Sequence, residues 1–168
     1  MEEKPITAIA DLVEIINESG LMNEPHSHIR VWFRGHADTI WKLNPGVYRP
    51  DFKPIDENDR LSLERHLSQD FQALAAARLT GRETDAEIYF LQQHYGMPTR
   101  LMDWSSNPLI ALWFAVNDEN HRDKDGEIFM MDAYEIKGPG RPDDFGIASS
   151  RNPYFLKALL PIFDWQEA

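Results

Sequence analysis

The stretch Gln93-His94-Tyr95-Gly96-Met97-Pro98-Thr99-Arg100-Leu101-Met102-Asp103-Trp104 (residues 93–104) is the most informative part of the sequence. Its glycine and proline force an irregular turn between two segments that have the periodicity of helices. Thr99, Arg100 and Asp103 are thus polar residues set between apolar elements, and buried polar groups need partners. Two interpretations stay open: an Arg100–Asp103 pair that fixes the loop, or the floor of a ligand site.

The segments on either side of this stretch are predicted to be helices. Leu63, Leu67, Phe71 and Leu74 follow spacings of four, four and three residues, which is typical of the apolar face of a long amphipathic helix. The segment Leu109 to Val116 is apolar on every side, so we expect its helix to be buried. The predicted helices run from Thr7 to Glu18, from Asp59 to about Leu79, from Thr84 to His94, from Asn107 to Asn117 and, after a Gly/Pro loop at residues 138–142, from Pro153 to Leu159.

Two further segments have the pattern of strands. Ile29 to Arg34 alternates between apolar residues on one face and Arg30, Trp32 and Arg34 on the other. An Asp-Lys-Asp-Gly turn leads into a second strand, Glu127 to Ala133. No repeat or long linker divides the chain. The sequence therefore predicts a single α+β domain, residues 1–168, with a small, mostly antiparallel sheet flanked by several helices.

Arg34 is the first candidate for a binding residue. It ends the first predicted strand on the face opposite the aliphatic side chains, and Gly35 lets the backbone turn or lets another group come close. An arginine so placed is suited to bind a phosphate or a carboxylate with two hydrogen bonds. The alternative is a structural salt bridge to one of the 28 acidic residues.

Composition excludes several classes of function. The 168 residues include no cysteine, which rules out a disulfide framework, a thiolate nucleophile and cysteine-ligated zinc. A net charge of −11 opposes non-specific binding to nucleic acid. His26 and His28 offer only two metal ligands, so no metal site is expected. The N-terminus lacks a signal-like region and the longest apolar run is too short to span a membrane, which favours a soluble cytoplasmic protein with no membrane partner.

Several motifs, in order over roughly residues 29–133, resemble the FRG domain, a family named for its Phe-Arg-Gly motif. The matching residues are Phe33-Arg34-Gly35-His36, Trp41-x-Leu43-x-Pro45, Glu64, Phe71, Gln93 to Ser105, Asn107-Pro108-Leu109-x-Ala111-Leu112-x-Phe114-Ala115 and Gly126-x-Ile128. The resemblance implies a Gln-Gly-Phe-like segment near the C-terminus. The sequence has no such segment before Ala168, so we expect a truncated or abbreviated family member that lacks its last strand.

The same motifs bear a more distant resemblance to one branch of ADP-ribosyltransferases, in which an early aromatic-Arg-Gly motif holds the phosphates of NAD. This resemblance implies an NAD-dependent ADP-ribosyltransferase or NAD glycohydrolase, in a bacterial toxin-like or phage-defence setting, with NAD as substrate. It implies a diphosphate site at Arg34 and Arg100, stacking on Trp32, Trp41 or Tyr95, ribose contact by Thr99, stabilisation of developing positive charge by Asp103, and further NAD contacts from Gly35, His36 and His94.

Two differences separate the sequence from that branch. Thr99-Arg100-Leu101 stands where a Ser-Thr-Ser strand is expected, and no clear Glu-x-Glu follows. Other functions therefore stay open: a non-catalytic module that binds a nucleotide or an acidic peptide, or a protein-interaction domain that displays its aromatic face to a partner. In each ligand-binding case we expect the motifs around Arg34 and Arg100 to meet at one cleft.

Overall fold

The computed structural model describes residues 4–23, 30–50, 52, 54 and 56–133. They fall into two compact units. We call residues 4–23, 30–42 and 103–133 the hairpin unit, and residues 43–50, 52, 54 and 56–102 the helical unit. The helix predicted at Pro153 to Leu159, the loop at residues 138–142 and the two histidines at 26 and 28 lie outside the described residues.

The α+β class is confirmed in the described part of the chain. The hairpin unit contains helix α1 (Ile9–Glu18), strand β1 (Val31–His36), helix α4 (Pro108–Val116) and strand β2 (Glu127–Asp132), and the helical unit contains helices α2 (Glu57–Ala75) and α3 (Asp85–His94). Short 3-10 turns occur at Leu21–Asn23, Gly46–Tyr48 and Glu119–His121.

Strands β1 and β2 form an antiparallel pair. Alternation along β1 buries Val31 and Phe33 on one side, which we call the inner face, where they pack with Leu12 and Ile16 of α1. The predicted alternation is therefore confirmed. The strand extends two residues beyond Arg34, because Gly35 and His36 continue the pairing with β2.

Helix α4 departs from the prediction that it is buried. Its first turn is capped as the sequence predicts, since the Asn107 side chain accepts a hydrogen bond from the N–H of Leu109 at 2.9 Å. Only its small residues Ala111 and Ala115 are buried. Five large apolar side chains are between 46% and 66% exposed: Leu109, Ile110, Trp113, Phe114 and Val116.

The close approach of the hairpin explains this orientation of α4. A Cβ atom on Gly35 would lie 1.9 Å from the carbonyl oxygen of Ala111, and one on Gly126 would lie 2.3 Å from that of Ala115. The two glycines thus let the helix backbone contact the strands directly. The prediction of a fully buried helix was wrong because the narrow alanine face, and not the wide apolar face, is packed inward.

The helical unit has its core between α2 and α3, where Phe71 packs with Ala86, Ile88 and Tyr89. Helix α3 begins as predicted, with Thr84 and Glu87 forming a capping box. The predicted apolar face of α2 is only partly correct, because Leu74 is 88% exposed. From residue 58 onward, the buried positions of α2 are Glu64, Ser68 and Phe71, so this face carries a carboxyl group and a hydroxyl group.

Candidate functional site

The hairpin has a second face, opposite the inner one, which we call the outer face. It carries Trp32, Arg34 and His36 of β1, which lie opposite Met131, Phe129 and Glu127 of β2, respectively. Trp32, Arg34 and Phe129 are partly exposed. This face therefore combines the Arg34 guanidinium group with aromatic side chains at a partly exposed surface.

Hydrogen bonds to His36 and to Asp103 orient the Arg34 side chain. Its Nε–H donates to Nε2 of His36 at 3.1 Å, which is possible because residues two apart in a strand lie on the same face. Its Nη1 donates to the backbone carbonyl oxygen of Asp103 at 2.6 Å. These contacts fix the plane of the guanidinium group at the partly exposed outer face.

His36 is only 6% exposed, and aromatic rings pack against its imidazole. The ring of Phe129 lies edge-on at a centroid distance of 5.0 Å, and that of Trp41 lies at 6.1 Å. Trp41 in turn contacts the His121 ring at 4.7 Å. Trp41 thus lies beside His36, and its stacking role stays a prediction.

An acidic side chain orients His121 at the edge of this cluster. Its Nδ1 lies 3.2 Å from Oδ1 of Asp118. The backbone N–H of Asn120 and the ring of His121 hold the pKa of the Asp118 carboxyl group below its usual value. Asp118 is therefore a carboxylate near neutral pH, fixed within its own turn.

Gly35 lies where the strand packs against helix α4. Its α-carbon faces the backbone of α4 on the inner side of the hairpin, where a side chain would meet Ala111. Of the two roles that the sequence left open for this glycine, the approach of another group is the one observed. That group is a helix backbone of the same unit.

Arg100 belongs to the helical unit and forms an ion pair there. Its Nε and Nη2 donate to the two carboxylate oxygens of Glu64 at 2.8 Å and 2.9 Å. Glu64 is 4% exposed, and its hydrogen bonds raise the pKa of the Arg100 guanidinium. The carboxylate that pairs with Arg100 is therefore that of Glu64 and not that of Asp103.

Thr99 is also held within the helical unit, where it is 1% exposed. Its hydroxyl donates to Oε1 of Gln93 and accepts from the N–H of Leu101 at 3.1 Å, while its carbonyl accepts from the N–H of Val47 at 3.2 Å. The next N–H along the chain, that of Arg100, donates to the Tyr89 hydroxyl at 2.8 Å, and burial raises the pKa of that phenol. These bonds account for Thr99 without a ligand.

His94 and Tyr95 lie at the surface of the helical unit. Their rings contact each other at a centroid distance of 5.2 Å, and Tyr95 also lies 6.1 Å from the buried Phe71. The predicted site residues therefore divide by unit: Arg34, Gly35, His36, Trp41 and Asp103 in the hairpin unit, and His94, Tyr95, Thr99 and Arg100 in the helical unit. A single cleft that includes both groups stays a prediction.

Sequence reasoning missed part of the buried polar structure. Gln92 donates to the hydroxyl of Ser68 at 2.6 Å, and both residues are buried. Asp38 is buried as well, and its Oδ1 accepts from the N–H of Ile40 at 3.0 Å. Positions 61, 64, 68, 71 and 75 share one face of the helix. If polar residues had been allowed on that face, the sequence would have indicated that Ser68 is buried.

Comparison with known protein families shows where this chain belongs. The sequence model of the FRG domain matches residues 29–124, which is more than half of the chain. The chain belongs to the FRG domain family. No curated protein and no solved structure matches it. Among the described residues, no helix has the length and apolar character needed to cross a membrane.

The three residues of the Phe-Arg-Gly motif have three different positions in this FRG domain. Phe33 is buried in the core of the hairpin unit, Arg34 lies on the outer face, and Gly35 allows α4 to approach. Two of the three positions are thus explained by packing. Arg34 is the member of the motif whose side chain lies where a ligand can reach it.

Proposed function

We propose that this FRG domain binds NAD on the outer face of its hairpin and is an ADP-ribosyltransferase or an NAD glycohydrolase. The observation that carries the proposal is Arg34, oriented by His36 and the Asp103 carbonyl beside aromatic rings. A planar guanidinium group suits a diphosphate, and an indole suits a nicotinamide or an adenine ring. A toxin-like or phage-defence role in a bacterial cytoplasm is part of the same proposal.

The reaction would break the bond between the ribose C1′ and the nicotinamide nitrogen, with the electron pair leaving on nicotinamide. A target group or water then bonds to C1′ and gives up a proton. The transition state resembles an oxocarbenium ion, so a nearby anion lowers its energy. We assign the diphosphate to Arg34, ring stacking to Trp41 or Trp32, and stabilisation of the positive charge to the exposed Asp103 carboxylate.

The helical unit enters this proposal less directly. Thr99 and Arg100 already have partners within it, so a ribose or phosphate contact would have to replace hydrogen bonds that are made inside the protein. Tyr95 and His94 are exposed on the helical unit, and their role as ligand contacts stays a prediction. The proposal therefore depends mainly on the hairpin unit.

Incubation of the full chain with NAD labelled in the nicotinamide ring tests this function. We expect nicotinamide release by the wild type, at least a tenfold loss in Arg34→Ala, and unchanged release in Arg122→Ala, whose exposed side chain pairs only weakly with Glu119 at 3.4 Å. Saturable binding without release would support the nucleotide-binding module instead. If the chain neither binds NAD nor releases nicotinamide, the proposal is overturned.

A second candidate is a protein-interaction module, and the exposed apolar face of α4 favours it. Large apolar side chains grouped on one exposed helix face are typical of a binding surface. Trp113 and Phe114 pack edge-to-face at 4.9 Å within this group. A purified partner protein that binds the wild type, and binds Trp113→Glu at least tenfold more weakly, would support this function; equal binding to both would contradict it.

A further inference from the structure

The contact between His36 and Arg34 specifies a protonation state. Nε2 of the imidazole accepts the hydrogen bond from the Nε–H of Arg34 at 3.1 Å, so this nitrogen carries no proton. The ring is then neutral, with its proton on Nδ1. That nitrogen lies 3.7 Å from Oε1 of Glu127 on the neighbouring strand. Arg34, His36 and Glu127 therefore form a row along the outer face of the hairpin.

We propose that His36 is a positioning residue, which holds Arg34 for an anionic ligand while its ring is neutral and releases Arg34 when the ring is protonated. This proposal rests on the proposed ligand site at Arg34. His36 is too deeply buried to be a main ligand contact itself. It acts through the orientation of the guanidinium group, which the Asp103 carbonyl supports from the other side.

Protonation of His36 would break its hydrogen bond with Arg34, because both groups would then be donors. A proton on Nε2 would place two N–H donors, those of His36 and Arg34, against each other at 3.1 Å. The charged ring would instead be stabilised by Glu127, which faces Nδ1. Acidification thus favours an imidazolium paired with Glu127 and an Arg34 that has lost its hydrogen bond to His36.

The other charged groups around His36 lie farther along the same surface. The Trp41 ring stands between His36 and His121, and the Asp118 carboxylate fixes His121. Asp38, near the end of β1, accepts from the N–H of Ile40 in its own loop. Phe129 covers His36 from β2 with an uncharged ring. Arg34 in β1 and Glu127 in β2 are charged groups that face His36 from the two strands.

The first test needs no ligand. Nitrogen NMR of the full chain, from about pH 8 to about pH 5, would follow the ring nitrogens of His36 and the Nε–H of Arg34. We expect the Arg34 signal to shift together with the His36 titration. In His36→Gln, whose amide oxygen accepts a hydrogen bond but does not titrate in this range, the Arg34 signal should be independent of pH. An Arg34 signal that ignores the His36 titration in the wild type would overturn the proposal.

The second test uses ADP-ribose as the probe. Its affinity should fall at least tenfold from about pH 8 to about pH 5 in the wild type and stay nearly constant in His36→Gln. His66→Gln, an exposed histidine of the helical unit, is the control and should keep the wild-type pH profile. Equal pH profiles in the wild type and His36→Gln would overturn the role of His36 and leave the ligand site intact.

The two tests separate the two proposals. No binding of ADP-ribose or NAD at any pH, together with the expected NMR coupling, would overturn the proposed function but support the His36–Arg34 device. If His36→Gln fails to fold, the NMR titration of the wild type decides the question by itself.

Discussion

The two arginines that stand in the FRG motifs, Arg34 and Arg100, are both partly exposed but have different hydrogen-bond partners. Arg100 binds both oxygens of Glu64, a carboxylate buried in the core of the helical unit. Arg34 donates to a ring nitrogen and a backbone carbonyl on the outer face of the hairpin unit. Motif arginines therefore serve the fold in one unit and remain accessible to a ligand in the other.

The largest effect should come from breaking the pair that Arg100 forms with the buried Glu64. Arg100→Met keeps most of the side-chain stem but leaves the Glu64 carboxylate buried without its partner, which should lower the free energy of unfolding by about 3–5 kcal/mol. Urea denaturation would measure the loss, with Arg122→Ala as the exposed control at about 0.5 kcal/mol or less. Equal losses in the two variants would remove the contrast between Arg100 and a surface arginine.

The next largest effect should come from the packing behind Arg34. Gly35→Ala would push a methyl group against the Ala111 carbonyl oxygen and should cost about 3 kcal/mol. Gly96→Ala is the matched control, because Gly96 has a φ of +80° but open space around it, so only backbone strain of about 1 kcal/mol is expected. A harmless Gly35→Ala would show that α4 does not touch the strand behind the site.

A smaller effect would distinguish the two sides of α4. Leu112 is partly buried against the core of the hairpin unit, so Leu112→Ala should lower the free energy of unfolding by about 2 kcal/mol. Ile110→Ala, on the exposed side of the same helix, should change it by less than about 0.5 kcal/mol. The same denaturation curves would measure both, and the reverse order would mean that the packed side is misidentified.

The smallest effect concerns an exposed turn of the helical unit. The N–H and hydroxyl of Thr80, together with the N–H of Gly81, donate to Glu83 and lower the pKa of its carboxyl group to about 2. The carboxyl group has a pKa of 4.5 in the unfolded chain, so the ionised form stabilises the fold at any pH above that value. This stabilisation is lost as the pH falls towards 2. Glu83→Gln should therefore melt slightly below the wild type at neutral pH, with the difference vanishing near pH 2.

Local features of the fold could be predicted from the sequence. The capping box at Thr84 and the Asn-Pro start of α4 act within one helical turn, so the residues themselves specify them. The alternation along β1, which placed Arg34 opposite the aliphatic side, is equally local. These features were confirmed because no distant residue is needed to produce them.

Features that depend on distant residues could not be predicted. Glu64 lies on the buried side of α2, where an apolar residue is expected, and its partner Arg100 is 36 residues away in sequence. The exposed apolar face of α4 depends on two distant glycines, Gly35 in β1 and Gly126 just before β2, and the pattern of the helix itself contains no sign of them. In the candidate site, Arg34 was identified, whereas the acceptor role of His36 required the geometry of the side chains.

The central claim, that Arg34 binds a ligand while Arg100 holds the fold, is tested most directly by Arg34→Lys. Lysine keeps the charge but loses the planar group that matches two oxygens, so binding of NAD should weaken by about 1.5–3 kcal/mol, roughly ten- to a hundredfold. Melting curves of the wild type and the variant, with and without NAD, measure both effects. The account predicts nearly equal melting temperatures without NAD and a much smaller NAD-induced rise in the variant. A large fall without NAD, with the NAD-induced rise unchanged, would contradict it.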